Sequence, residues 1–327
     1  MTQPPRAEID QIAEASIAAL RAPSLFNSQP WRWRLVGHHG ELWADRSRQL
    51  TGLDPAGHLL LLSCGAALHH ATVAMHAAGY VADVVRLPDP DRPDLVARLR
   101  QGAACEPDDR LYRAIYRRRT DRRPFDDERP GPAALDELRA AAGRHGVHLH
   151  VVREDQVTAF AAAVARAGAI EHADPRFRDD VLAWTTRSRP DRDGVSARSV
   201  VPSTPRTVAP RNFAVARPAA LEPGPGTDQG TVYVVLATDA DEPHDWVAAG
   251  EALSDVWLTL TARGLAASPI SEVIEVDAVR TALRRVLGGV GSPAIAMRVG
   301  VPVAEAEPVP AAMRRSGTDV VGLPGQL

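Results

Sequence analysis

The sequence predicts an α+β fold in which two halves of one chain, 1–105 and 106–327, run through a similar order of elements. Two observations point there. Helical and strand periodicities succeed one another in the first half and return in the second. Two long apolar helices also share a run of small residues. Gly65-Ala66-Ala67-Leu68 is followed by Gly79, and Gly250-Glu251-Ala252-Leu253 by Gly264, at equal spacing.

In the first half a helix over 7–21 is stopped by Pro23, because the residue before a proline avoids helical angles and the ring removes a donor. Strands follow at 30–36, where Trp31-Arg32-Trp33-Arg34-Leu35-Val36 alternates with period two, and at 41–45. A long helix over 55–78 takes Asp54 as N-cap, Pro55 at its first position and Gly79 as its C-terminal stop, before a strand at 80–87. The second half reads as helices at 108–118 and 131–144, a strand at 147–152, and helices at 155–171 and 175–187. A strand at 231–237, helices at 244–263 and 276–287, and a strand at 293–300 complete it. Between them, Ser188 to Gly230 is irregular and rich in proline. A connection that long inside a compact domain is usually functional or disordered, and a lid over the site is expected here.

The 327 residues, 45% hydrophobic and 24% charged, suit a globular protein with a large core. A net charge of -3 argues against a general nucleic-acid binder. All 38 basic residues are arginines. Cys64 and Cys105 form neither a metal spacing nor a disulfide framework, so free thiols in a reducing compartment are expected. The N-terminus, Met-Thr-Gln-Pro-Pro, lacks an apolar signal core, and no apolar stretch is expected to reach the roughly 18 residues that span a bilayer. A cytoplasmic protein with no membrane partner is the expectation.

Residues 21–31, Arg-Ala-Pro-Ser-Leu-Phe-Asn-Ser-Gln-Pro-Trp, place free polar groups between backbone constraints in a helix-to-strand loop, where ligands are usually met. The same spacing also fits a capped turn whose polar groups serve only their own backbone.

The run Ala22-Pro23-Ser24, Asn27 and Gln29-Pro30-Trp31, led by Arg21, resembles the Ala-Pro-Ser-x-x-Asn-x-Gln-Pro-Trp signature of flavin-dependent nitroreductases. In that family it lies against the FMN of the partner subunit. Arg118-Arg119-Thr120-Asp121-Arg122 resembles the family's Arg-x-Ser/Thr-x-Arg/Lys motif. Ser268-Pro269-Ile270-Ser271-Glu272, after Gly264, resembles the loop that faces the flavin ring. Each piece occurs once. With Asp193-Gly194-Val195 ahead of the proline-rich segment and Arg314-Arg315 near the C-terminus, the whole chain resembles the Acg family. Phe26 departs from the histidine expected in the family's run.

The resemblance implies a nitroreductase-like fold, with two degenerate halves fused around a mixed β-sheet core and one composite FMN site. Such a chain is a monomer equivalent to a nitroreductase dimer. It assigns Arg118 and Thr120, joined by Arg314 and Arg315, to the phosphate, and Arg122 to the pyrimidine edge. The backbone of Pro269, Ile270, Ser271 and Glu272 would approach flavin N5, and Pro23, Ser24, Asn27 and Gln29 would form the opposite wall. Without it, the arginine run reads as a solvated helix end.

The activity implied is NAD(P)H-driven two-electron reduction of a small nitroaromatic or quinone-like acceptor, with no catalytic side chain beyond the flavin. NADPH and NADH are both open as donors. The alternative is a silent FMN-sequestering protein whose lid, 188–230, closes the nicotinamide site. A third is a flavin-free, partner-binding fold.

Other clusters carry less. His148 and His150 share a strand face and His69-His70 a helix, without the carboxylate or thiolate companions of a metal site, so no metal is expected. Gly288-Gly289-Val290-Gly291 has the wrong spacing for a dinucleotide loop. Trp31 and Trp33 either line a groove or belong to a half-buried strand.

Overall fold

The computed structural model describes residues 5–202, 204–214, 218–304 and 306–322. The first four residues of the N-terminal reading, and 203 and 215–217 of the lid, lie outside the described residues.

The first half runs α1 (Pro5–Ala19), β1 (Trp31–Val36), β2 (His39–Ala44), α2 (His58–Ala77), β3 (Tyr80–Arg86) and β4 (Leu95–Ala104). The second opens with α3 (Arg110–Arg117), α4 (Pro132–Gly143), β5 (His148–Val151), α5 (Glu154–Ala173) and α6 (Pro175–Thr185). After the irregular segment come β6 (Val232–Thr238), α7 (Pro243–Ala262), β7 (Ala266–Ile270), α8 (Glu272–Glu275), α9 (Asp277–Val286) and β8 (Ser292–Gly300). The chain ends in α10 (Gly317–Val320) and β9 (Val321–Gly322).

The α+β class holds, with the strands divided into two sheets. One has the order β3-β4-β2-β1-β9, antiparallel except for the β1–β9 pair, which is parallel. The other, β5-β6-β8-β7, is antiparallel throughout. Matching α1 to α4, β1 to β5, β2 to β6, α2 to α7, β3 to β7 and β4 to β8 gives one order and one set of pairings in both sheets. The long stretch from α5 to the lid is an insertion between β5 and β6.

Helices α2 and α7 pack side by side between the sheets, and the shared glycines explain how closely. A Cβ on Gly65 would lie 2.1 Å from the Val247 carbonyl oxygen, and one on Gly250 would lie 1.9 Å from that of Leu62. Each glycine faces the residue three positions before the other, so the two contacts are reciprocal. Gly79 and Gly264 end these helices at φ +85 and +78, a region open to glycine without a Cβ penalty.

Two cores result. Leu60, Leu61 and Leu68 of α2 meet the fully buried Trp31 and Trp33 of β1, which settles those tryptophans as core residues. Trp257 and Leu260 of α7 meet Val234 to Leu236 of β6.

Several boundaries differ from the sequence reading. Helix α2 begins at His58, because Asp54 to Gly57 close a turn first. Asp54 still caps it, its carboxylate accepting from the Leu60 N–H at 2.8 Å. Strand β4 carries no periodic signal, since Leu95, Val96 and Ala97 are all buried and break the alternation. Helix α2 is also long and apolar enough by length and composition to cross a membrane, contrary to the expectation that no apolar stretch is. Its polar residues include Ser63, His69 and His70, all buried, and most of the helix is buried in the protein.

Candidate functional site

The loop after α1 is strained. Phe26, Asn27 and Gln29 all have positive φ, at 48°, 56° and 50°, a region rare for residues with side chains and concentrated at functional sites. Ser24 holds the turn by accepting from the Gln29 N–H at 2.9 Å. The other polar groups reach far beyond it. Asn27 donates to the carbonyls of Gly194 and Met313 and accepts from Arg314. The Gln29 amide donates to the Arg192 carbonyl and accepts from the Arg315 N–H. A self-contained capped turn does not describe this loop.

Above it lies a cavity of about 390 Å3, within the usual range of roughly 300–1,000 Å3 for small-molecule sites. Nine arginines and two carboxylates, Asp193 and Glu272, line it; Arg187, Arg211 and Arg298 are paired with carboxylates, so the positive charge concentrates at the others.

Four of these arginines gather at one end. Arg118 is buried, lies 4.5 Å over the Trp257 ring, and leaves its Nε without a partner. Arg314 also has a buried, unpartnered Nε, although its terminal nitrogens donate to Asn27 and to the Arg21 carbonyl. Arg21 stacks on Tyr116 at 4.5 Å, and Arg119 donates to the carbonyls of Tyr116 and Arg118. Among the described residues no carboxylate pairs with any of the four. Burial, then the neighbouring arginines, drive the Arg118 pKa well down and that of Arg314 to about 10. Uncompensated buried cations with free donors are costly unless an anion joins them.

The opposite wall comes from β7 and the turn into α8. Thr120 forms a parallel bridge to Ala267, and the Asp121 N–H donates to the Ala267 carbonyl at 3.0 Å. This brings the run Arg118 to Arg122 beside Ser268, Pro269, Ile270, Ser271 and Glu272, all of which line the cavity. Pro269 and Ile270 belong to an edge strand, β7, where the sequence suggested a loop; an edge tolerates the missing proline donor. Arg122 is half-buried, 4.8 Å from the Phe213 ring, and donates to the Ser199 carbonyl at 3.0 Å. Burial first, and then Arg298, lower its pKa to about 10.

The irregular segment covers this space through Asp193 to Ser199, Val208 to Arg211, and Phe213. It is pinned by Asn27 and Gln29, by the ion pair between Arg48 and Asp193, and by Phe213 packing edge-on to Phe26 at 5.1 Å.

Of the predicted residues, Pro23, Ser24, Asn27, Arg118, Thr120, Arg122, Pro269, Ile270, Ser271, Glu272 and Arg314 line the cavity together. Gln29 and Arg315 lie outside its lining. Arg315 donates to the Gln29 and Asp319 carbonyls and braces the loop from behind. Arg21, Arg119, Trp257, Arg211 and Phe213 were missed as lining residues. Arg21 had a local signal as the leader of the loop run and Arg119 as the variable position of the arginine motif, whereas Trp257 had none.

The dismissal of His69 as lacking a carboxylate companion is corrected. Asp255 of α7 lies 3.7 Å from it and 3.0 Å from His145, a set able to offer three ligand atoms. The fork of Arg144 occupies both Asp255 oxygens, at 3.0 and 2.8 Å. Burial lowers the His69 pKa to about 4, leaving a neutral ring beside an internal ion pair.

Comparison with known proteins matches residues 115–301 to the model of the nitroreductase family. A protein of Mycobacterium tuberculosis (strain ATCC 25618 / H37Rv) with the provisional name NAD(P)H nitroreductase Rv3131 is 39% identical over 318 residues, 94% of this chain and 90% of its own length. The chain belongs to the nitroreductase family. The NAD(P)H nitroreductase acg of the same strain, also provisionally named, is 34% identical over 94% of this chain and 93% of its own length. Among solved structures, the FMN-dependent nitroreductase NfnB from Mycobacterium smegmatis in complex with NADPH matches 64% of this chain and 95% of its own, with 15% identity and a TM-score of 0.40. The chain is thus a nitroreductase-like oxidoreductase with Acg-type relatives.

Proposed function

We propose that this protein binds one FMN in the arginine-lined cavity and uses NADPH or NADH to reduce a small nitroaromatic or quinone-like acceptor by two electrons. The observation that carries this reading is the set of Arg21, Arg118, Arg119 and Arg314, with two buried orphaned Nε donors and no ion-paired carboxylate partner among the described residues. A dianionic phosphate supplies the missing charge and acceptors. FMN fits that end, and its isoalloxazine supplies the hydride chemistry.

The chain's own residues then divide the work. Arg118 and Arg314 hold the phosphate with Thr120 beside them, and Arg122 offers a cation to the ring's pyrimidine edge, where negative charge accumulates on reduction. The backbone from Pro269 to Glu272 forms one wall, and Pro23, Ser24 and Asn27 the other. Phe26, Phe213 and the covering segment exclude water.

We read the chain as a nitroreductase dimer fused into one polypeptide, with 1–105 and 106–327 as degenerate halves. The shared order of elements in the two sheets and the reciprocal Gly65 and Gly250 contacts support this. The cavity draws on both, taking its loop from the first half and its arginine run from the second.

Sequestration of FMN is the second reading. It is favoured by the way Asn27, Gln29, Arg48 and Arg122 clamp the covering segment over the cavity. Anaerobic mixing of the FMN-loaded protein with NADPH, and separately NADH, tests the two. Rapid bleaching of the oxidised flavin band is expected; flavin that stays yellow with both donors would favour sequestration.

A further inference from the structure

Three buried donors at the arginine-rich end of the cavity lack acceptors: the Nε of Arg118, the Nε of Arg314 and the indole Nε1 of Trp257. Trp257 belongs to α7, is 1% exposed and lines the cavity. The Arg118 guanidinium lies 4.5 Å over its ring, which places the indole beside the unpaired cations. His70 of α2, which burial keeps neutral and which feels the charge of Arg118, bonds to none of the three donors.

Elsewhere in the cavity the arginines are answered. Arg211, carried by the covering segment, lies 3.0 Å from Glu171 of α5, and 2.7 and 3.3 Å from Glu275 and Glu272 of α8. Burial, acting with Glu275 and Glu272 and against Arg211, pushes the Glu171 pKa up to about 10. Arg298 pairs with Asp228, and Arg187 with Asp193. An orphaned indole nitrogen alone points to no ligand, since Trp31 and Trp33 also have one and neither lines the cavity. Trp257 differs because its N–H stands where two buried cations lack an anion, so that one ligand would satisfy all three donors.

We propose that the indole N–H of Trp257 donates to the phosphate of FMN, and that Trp257 thereby favours the phosphorylated flavin over riboflavin. This rests on the FMN reading above. The face and the edge of the ring have separate roles. The face attracts the Arg118 guanidinium and steadies a cation that burial penalises. The edge carries a neutral donor. A phosphate brings up to two negative charges, which Arg118 and Arg314 match, together with three acceptor oxygens that call for further donors. Trp257 supplies one without adding a third buried charge. Arg21 and Arg119, less buried than Arg118, contribute mainly through the field at the mouth of this end.

The test uses the full chain with nitrogen-15 in its tryptophans, so that each indole N–H gives its own magnetic resonance signal. Loss of one signal in Trp257→Phe or Trp257→Tyr identifies that of Trp257. FMN should move this signal downfield and slow its exchange with solvent, riboflavin should not, and the signals of Trp31 and Trp33 should stay in place. Quenching of flavin fluorescence then gives affinities. Trp257→Phe keeps a ring face under Arg118 and removes the donor, so FMN affinity should fall about tenfold while riboflavin affinity is unchanged. A Trp257 signal that ignores bound FMN overturns the proposal in the unmodified protein, whatever the stability of the variants. An unchanged ratio of FMN to riboflavin affinity in Trp257→Phe also overturns it. If FMN fluorescence is not quenched at all, the cofactor reading falls, and titration with inorganic phosphate still decides the role of Trp257: a downfield shift supports donation to phosphate, and no shift overturns it.

Discussion

Replacing Gly250 by alanine probes the contact on which both cores depend. The added methyl carbon would lie 1.9 Å from the Leu62 carbonyl oxygen, about 1.5 Å short of the 3.4 Å at which ordinary contact begins. The Leu62 carbonyl carbon at 2.8 Å and the Ala66 nitrogen at 3.0 Å stand behind it, so only backbone can yield. Separating α2 from α7 loosens Leu253 and Trp257 on one side and Leu61 and Leu68 on the other. Overpacking costs about 1–3 kcal/mol where side chains adjust, and we take the upper end because none can here. Alanine's helix propensity returns about 1 kcal/mol, leaving a net loss of about 2 kcal/mol or more. Gly168 in α5 is the control, since a methyl group there would meet nothing within 4 Å. Gly168→Ala should gain up to about 1 kcal/mol. Urea midpoints at unchanged slope measure both. Equal stability of Gly250→Ala and wild type would refute the close reciprocal crossing, and Gly65→Ala should reproduce the loss.

Three further outcomes follow from the site. Arg118→Met and Arg314→Met should each weaken FMN binding about tenfold or more by removing a charge-assisted contact, measured by quenching of flavin fluorescence, with a smaller effect for Arg315→Ala. Arg211→Met should free the covering segment, seen as faster limited proteolysis within 188–213 and faster bleaching by NADPH. Glu171 should make stability fall as pH rises. Folded, it keeps its proton to about 10, whereas the unfolded group releases it near 4.5. The folded state therefore binds more protons in that window, so the stabilising contribution is complete below about 4.5 and is lost as the pH climbs towards 10. Denaturation midpoints of Glu171→Gln across that range should lack this slope.

Much of the architecture was legible because it is written locally. Glycine at 65, 79, 250 and 264 marks helix crossings and helix ends, roles no other residue fills without strain. Prolines at 23 and 30 bound the loop that became one wall of the cavity. What failed was written at long range. The two-residue β9 exists only because β1 offers it an edge, and no window of sequence carries that signal. His69 acquired Asp255 across the helix pair, from a residue 186 positions away in the chain. Arg314 and Arg315 are adjacent and alike in sequence, yet one enters the cavity and the other braces Gln29, a choice made by the path of the backbone.

The measurement that bears most directly on the central claim is FMN stoichiometry together with particle mass, by sedimentation followed at a flavin wavelength. The account predicts one FMN per monomeric chain, lost in the double variant Arg118→Met with Arg314→Met. Two FMN per chain, a dimer that binds flavin only when assembled, or flavin retained by the double variant would contradict it.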